Sequence, residues 1–106
     1  MECKVRFISE DLKKSFEELN ENNPQLYREI ERAFSSICKD AFFGRRVKKE
    51  VIPKELKNKY NVDNLWIYNL SGGWRLIYSL INDNLELISI VLDWMDHKDY
   101  ERLFNF

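Results

Sequence analysis

What is scarce in this chain limits what it can be. It holds 2 Cys and 1 His. Cys3, Cys38 and His97 stand far apart and in no ligand spacing, so neither a structural zinc nor any other cofactor is expected. No apolar run approaches the roughly 18 residues that span a bilayer, which leaves no membrane partner. The opening MECKVRFISED lacks the basic and then apolar segments of a secretory signal. Cys3 and Cys38 could pair, but two cysteines without such a signal are expected as reduced thiols, which places the protein in the cytoplasm. Repeats, low-complexity tracts and linkers are also missing, so the 106 residues are expected to form a single domain spanning 1–106. Disorder is set aside by an apolar fraction of 44%, of which much is aromatic.

Charge of either sign is not in excess: the net value is −1, which argues against a strong nucleic-acid binder. Its distribution is uneven, however. Residues 1–60 carry 14 Lys/Arg against 11 Asp/Glu, and residues 61–106 carry 3 against 7. Within Arg45 to Lys59, seven basic residues face only Glu50 and Glu55. A local field of this kind attracts phosphate even when the whole molecule does not. Arg45, Arg46, Lys48, Lys49 and Lys54 are therefore candidate RNA-binding residues, with a solvated connecting segment as the alternative.

Hydropathy patterning outlines the elements. Lys4 to Ile8 alternates as a short strand. Ser9, followed by Glu10 and Asp11, is a good N-cap for a helix carrying Leu12, Phe16 and Leu19. Asn20 to Asn23 interrupts it, and Asn23-Pro24 starts a second helix. Its stripe runs from Leu26 through Ile30, Phe34 and Ile37 to Phe42, with Gly44 expected as the C′ stop. The basic segment is expected as a connector interrupted by Pro53. Leu65 to Leu70 and Trp74 to Ile81 flank Ser71-Gly72-Gly73 as a β-hairpin. Asn82-Asp83-Asn84 is a second turn, Leu85 to Leu92 a third strand, and a short helix begins near Asp96. The fold expected is α+β: a two-helix hairpin packed on a small antiparallel β-sheet, in the order β-α-α-β-β-β with a short C-terminal helix. Phe34 and Ile37 should then be buried against Ile77 and Ile90 or their neighbours.

One charged side chain stands out against the apolar strands. Arg75 sits at the start of the middle one, where a guanidinium costs free energy unless it reaches water or an anion. A snorkelling edge-strand Arg, or pairing with Glu86, is the alternative to a phosphate contact. His97 is the one side chain of the chain whose ordinary pKa, roughly 6.5, suits proton transfer near neutrality. Three residues on, Tyr100 shares its helical face. Against this, Asp96 can cap a final helix, leaving His97 solvated in its first turn and Tyr100 in an apolar stripe with Leu103 and Phe104.

The segment NLWIYNLSGGWRLIYSLINDNLELISIVLDWMDHKDY, with the element order around it, resembles the RelE/ParE superfamily of toxins from type II toxin–antitoxin systems. The resemblance rests on Trp74-Arg75-Leu76-Ile77-Tyr78, the acidic turn at Asn82-Asp83-Asn84, and His97-Lys98-Asp99-Tyr100. It implies a RelE-like fold and a metal-independent endoribonuclease that cleaves messenger RNA at the ribosome, an mRNA interferase. It also implies a cognate antitoxin as protein partner. By this resemblance Arg75 stabilises the phosphorane, His97 acts as acid or base, and Tyr100 assists or positions the RNA. RelE itself places lysines on the strand before the Gly turn and another arginine where the last strand ends. Here those places hold Ile67, Tyr68 and Asn69, then Asp93, Trp94 and Met95. The departures keep two alternatives open: a ParE-like, non-enzymatic inhibitor of DNA gyrase, or a decayed toxin retained for antitoxin binding. Trp66 is expected in the core, and Trp74 and Trp94 either in the core or against the antitoxin.

Overall fold

The structure is a computed structural model that describes residues 4–83 and 86–104. Cys3, Asn84 and Leu85, which enter the expectations above, lie outside the described residues. In chain order the elements are β1 (Val5–Phe7), α1 (Glu10–Asn22), α2 (Pro24–Lys39), β2 (Arg45–Arg46), α3 (Lys54–Tyr60), β3 (Trp66–Asn69), β4 (Arg75–Asp83), β5 (Glu86–Met95) and α4 (His97–Phe104). The α+β class is as expected.

Local chemistry sets the helix starts. Ser9 Oγ accepts from the Leu12 amide at 3.1 Å, and Asn23 Oδ1 accepts from the Leu26 amide at 3.3 Å. Pro24 at the first position of α2 presets φ for the helix. Asp96 Oδ1 accepts from the Asp99 amide at 2.9 Å and starts α4. The end of α2 differs from expectation. The helix stops at Lys39, where the Asp40 amide donates to Ser36 O at 3.0 Å. Gly44 is not its C′ residue. Its role is close approach: a Cβ there would lie 2.6 Å from Tyr78 Oη and 2.8 Å from Ile67 O.

The five strands form one sheet in the order β1-β5-β4-β3-β2. β2 to β5 pair antiparallel, but β1 runs parallel to β5, with Val5 opposite Ser89 and Phe7 opposite Val91. The sheet is therefore mixed, which corrects the antiparallel expectation. A parallel neighbour needs a long crossover, and the two helices after β1 provide one. Hydropathy alternation marks β1 as a strand without saying which strand it joins.

Strand β4 is buried from Leu76 to Leu80 and so requires cover on both faces. On one face, Phe16, Leu26, Ile30, Ala33 and Ile37 of α1 and α2 pack with Leu76, Tyr78, Leu80 and Val91. Trp66, Trp74 and Trp94 lie half-buried against this same core. On the other, Leu56 of α3 and Tyr100 and Phe104 of α4 pack with Ile67, Ile77, Leu92 and Met95. Ile37 is thus buried and Phe34 half-buried against the neighbours of Ile77 and Ile90, which themselves face the opposite layer. The basic connector is a folded segment: edge strand β2, a 3-10 turn over Lys49–Val51, and α3. Of its few apolar residues, Val47, Ile52 and Leu56 are buried and Val51 is exposed, and they are too widely spaced to show a period.

Cys38 is disulfide-bonded, which corrects the expectation of two reduced thiols and removes the cysteine argument for a cytoplasmic location. β1 packs on α2, with the Phe7 ring edge-on to Phe34 at 5.6 Å. Among the described residues no helix is long and apolar enough to cross a membrane.

One side chain completes the sheet where backbone does not. Asn64, just before β3, accepts at Oδ1 from the Leu80 amide (2.8 Å) and from Ser79 Oγ (3.2 Å), while its Nδ2 donates to Leu80 O at 2.9 Å. Asn64→Ala orphans these half-buried groups and should lower stability by about 1–3 kcal/mol. Denaturant unfolding measures it, with the midpoint falling and the slope unchanged.

Candidate functional site

Arg75 opens β4, opposite Asn69 on β3 and Met95 on β5. It shares its sheet face with Ile77, two residues along the strand, and that face is the one α4 covers. Its guanidinium lies over the Tyr100 ring, 5.1 Å from the centroid, and Nη1 donates to Trp74 O at 3.3 Å. It does not pair with Glu86, which forms an ion pair with Lys4 at 3.7 Å.

Arg45 comes to the same place from an element that the sequence does not announce. β2 pairs Arg45 with Ile67 and Arg46 with Trp66, so alternation sends the two arginines to opposite faces. Arg45 Nη2 donates to Tyr100 Oη at 2.9 Å. Tyr100 is 5% exposed, with its ring 4.7 Å from Phe104. The phenol is thus a buried seat, holding one arginine over its ring and a second at its hydroxyl. Among the described residues no carboxylate forms an ion pair with either guanidinium. Two adjacent cations without a neutralising acid favour an anion between them.

The segments feeding this cluster are tightly set. The Gly44 amide donates to Tyr78 Oη at 2.9 Å, and that hydroxyl donates to Ala41 O at 3.0 Å. The contact fixes the chain just before Arg45. Burial raises the Tyr78 phenol above its ordinary pKa, so it stays a neutral donor. On the other side, Gly73 has φ of 82°, and a Cβ there would lie 3.0 Å from His97 Cβ. The turn before Arg75 therefore packs directly on the first residue of α4. The Glu29 carboxylate accepts from the Ser71 amide at 2.8 Å and ties the same turn to α2. Hydrogen bonding from the Ser71 side chain, and then from its amide, holds the Glu29 pKa below its ordinary value.

His97 is solvent-exposed in the first turn of α4, as the alternative reading had it, and its Nε2 pairs with Glu101 one turn on. Glu101 was not anticipated, although the i,i+4 spacing from His97 is visible in the sequence. The other basic candidates disperse. Arg46, Lys48 and Lys49 line a separate shallow hollow. Lys54 opens α3 and lines a cleft of about 1020 Å³ between α3, α4 and the end of β5. That cleft receives neither arginine of the cluster. Of the residues flanking the cluster on β3 and at the end of β5, Ile67 and Met95 are buried and Tyr68 and Trp94 pack on the helical core. None of these supplies a charge. Among the described residues no three His, Cys, Asp or Glu side chains gather as a metal site.

Comparison of the chain with protein-family models, curated proteins and solved structures returned no match.

Asp93, in the α3–α4 cleft, offers a check on this face. Burial raises its carboxyl above the ordinary aspartate value, opposed by the hydrogen bond from the Trp94 amide and by Lys59. The folded chain therefore holds the proton more tightly than the unfolded chain. Stability falls as pH rises from the unfolded value through the raised folded one, and ionised Asp93 is a cost at neutral pH. Asp93→Asn keeps an oxygen for the Trp94 amide. It should raise the melting temperature at pH 7 and give no gain in acid below the ordinary aspartate range, as thermal scans across pH would show.

Proposed function

We propose that this chain is a metal-independent endoribonuclease acting on single-stranded RNA, the toxin of a toxin–antitoxin pair of the RelE/ParE kind. The observation that carries the reading is the convergence of Arg45, Arg75 and Tyr100, with His97 packed on the turn that leads into Arg75. In this reaction the ribose 2′-oxygen attacks the adjacent phosphorus as its proton is removed. The P–O5′ bond breaks, the 5′-oxygen takes a proton, and a 2′,3′-cyclic phosphate remains. Arg75 and Arg45 bind the non-bridging oxygens, whose charge grows in the phosphorane. His97, oriented by Glu101, exchanges the proton. Tyr100 is a positioning residue in this scheme, since its buried hydroxyl already serves Arg45 and its ring faces Arg75.

Messenger RNA at the ribosome is the substrate that the family resemblance suggests, with an antitoxin covering the site. The gyrase-directed or decayed alternatives draw support from one observation: the strand before the Gly turn carries Ile67, Tyr68 and Asn69, none of them cationic.

Arg75→Ala should lower cleavage by on the order of 10²–10³ while leaving the fold intact, and should relieve growth arrest caused by expression of the chain alone. Tyr100→Phe keeps the ring beneath Arg75 and loses the hydroxyl that holds Arg45, so its effect should be smaller. His97→Gln should lower cleavage and flatten its pH profile near neutrality. Primer extension on messenger RNA, with and without translating ribosomes, reads all of these. Intact messenger with wild type, together with blocked supercoiling in a gyrase assay, would overturn the ribonuclease reading in favour of the ParE-like one. Silence in both assays would leave the decayed toxin.

A further inference from the structure

Between α2 and β2 the chain reads Phe42-Phe43-Gly44-Arg45-Arg46. Phe42 and Phe43 are each 58% exposed, more than any other exposed large apolar side chain among the described residues. A single exposed Phe needs no explanation. Two in succession on a rigidly held loop do. Asp40 Oδ1 accepts from the Phe42 amide at 3.0 Å, the Phe43 amide donates to Asp40 O at 3.0 Å, and Tyr78 holds Gly44. The Phe43 ring stacks on Tyr68, with centroids 5.5 Å apart and planes inclined by 23°. One face of Phe43 is thereby backed by a second ring, and the side chain remains 58% exposed.

A hollow of about 290 Å³ opens beside it, lined by Phe43, Gly44, Arg45, Ile67, Tyr68 and Asn69. Asn69 is the register partner of Arg75, and Arg45 is bonded to Tyr100. The hollow thus begins where the arginine cluster ends. Two residues of chain span at most about 7 Å, which keeps the Phe43 and Arg45 backbones close together beside the hollow that both line. Asn69 is exposed, and its amide offers both donor and acceptor.

We propose that this hollow is a nucleobase subsite. Phe43 stacks one unpaired base of single-stranded RNA, Asn69 bonds its edge, and Arg45 and Arg75 hold the adjoining phosphate. The subsite rests on the ribonuclease reading and gives it a substrate class, RNA with an unstacked base next to the cleaved bond. A flat aromatic face fixed from behind is what stacking on a base requires. The charge beside it points the same way, since Arg45 itself lines the hollow.

The test uses single-stranded, fully 2′-O-methylated oligonucleotides, which bind but lack the attacking hydroxyl. They carry 2-aminopurine or an abasic residue at successive positions. Wild type should quench 2-aminopurine at one position, and an abasic residue there should weaken binding by on the order of tenfold. Phe43→Leu keeps apolar volume without the π-face, and should show the same weakening and no quenching. Phe43→Trp should restore both. Equal melting temperatures for the three proteins exclude a folding effect. If Phe43→Leu binds every oligonucleotide as wild type does while Arg75→Ala still abolishes messenger cleavage, the subsite is wrong and the ribonuclease stands. If wild type neither binds nor cleaves RNA, the ribonuclease reading falls, and the subsite with it. Retention of a partner protein by wild type but not by Phe43→Leu, without RNA binding, would assign the two rings to a protein interface instead.

Discussion

Strand β4 has no face to spare for water over Leu76 to Leu80, and this constraint organises the molecule. Ile77 looks one way and Leu76 and Tyr78 the other, all fully buried. Burying a large apolar side chain contributes roughly 1.5–3 kcal/mol, so neither layer can be left open. α1 and α2 cover one side with their continuous stripe. The opposite side is closed by two short helices, α3 and α4, that could not persist alone in water at 7 and 8 residues. They are held by what they cover, chiefly Ile67, Ile77, Leu92 and Met95.

Closing that second layer is also what builds the site. Arg75 lies where the buried run of β4 begins, on the face α4 covers, and α4 brings Tyr100 beneath it. A cation over an aromatic ring gains about 0.5–2 kcal/mol, enough to orient a guanidinium without neutralising it. The Tyr100 hydroxyl does the same for Arg45 through a hydrogen bond. Both cations stay available because the tyrosine directs them and adds no opposing charge. A carboxylate in its place would direct them as well, but would compete with a phosphate.

Tyr78 extends the same logic to the helical face. Its ring fills the core beside Leu76, and its hydroxyl fixes the chain at Ala41 and Gly44. A core strand thus sets the path of an exposed loop, including the two phenylalanines and the arginine that follow. Gly44 is needed because any Cβ would collide with that hydroxyl and with Ile67 O. The glycine that reads as a helix stop is a packing contact between a loop and the sheet.

What was legible in the sequence is what depends on near neighbours along the chain. Ser9, Asn23-Pro24 and Asp96 start helices through bonds to amides three residues on, and the stripe from Leu26 to Ile37 shows its period without help. The hairpin around Ser71-Gly72-Gly73 was equally plain, and Arg75 stood out as a charge in an apolar strand. Contacts between distant segments left no such trace. β1 pairs parallel with β5 across more than eighty residues, Cys38 is bonded, and β2 is too short to alternate. Arg45 and Arg46 look alike in sequence, yet pairing with Ile67 and Trp66 sends them to opposite faces. Residue type and resemblance single out His97, Tyr100 and Arg75, while the burial of Tyr100 beneath two arginines is a product of layer packing alone. The sequence by itself determined the starts of α1, α2 and α4, the hairpin and the residues with reactive side chains. Which of those residues meet was decided only by tertiary structure, because register and face depend on partners that lie far away along the chain.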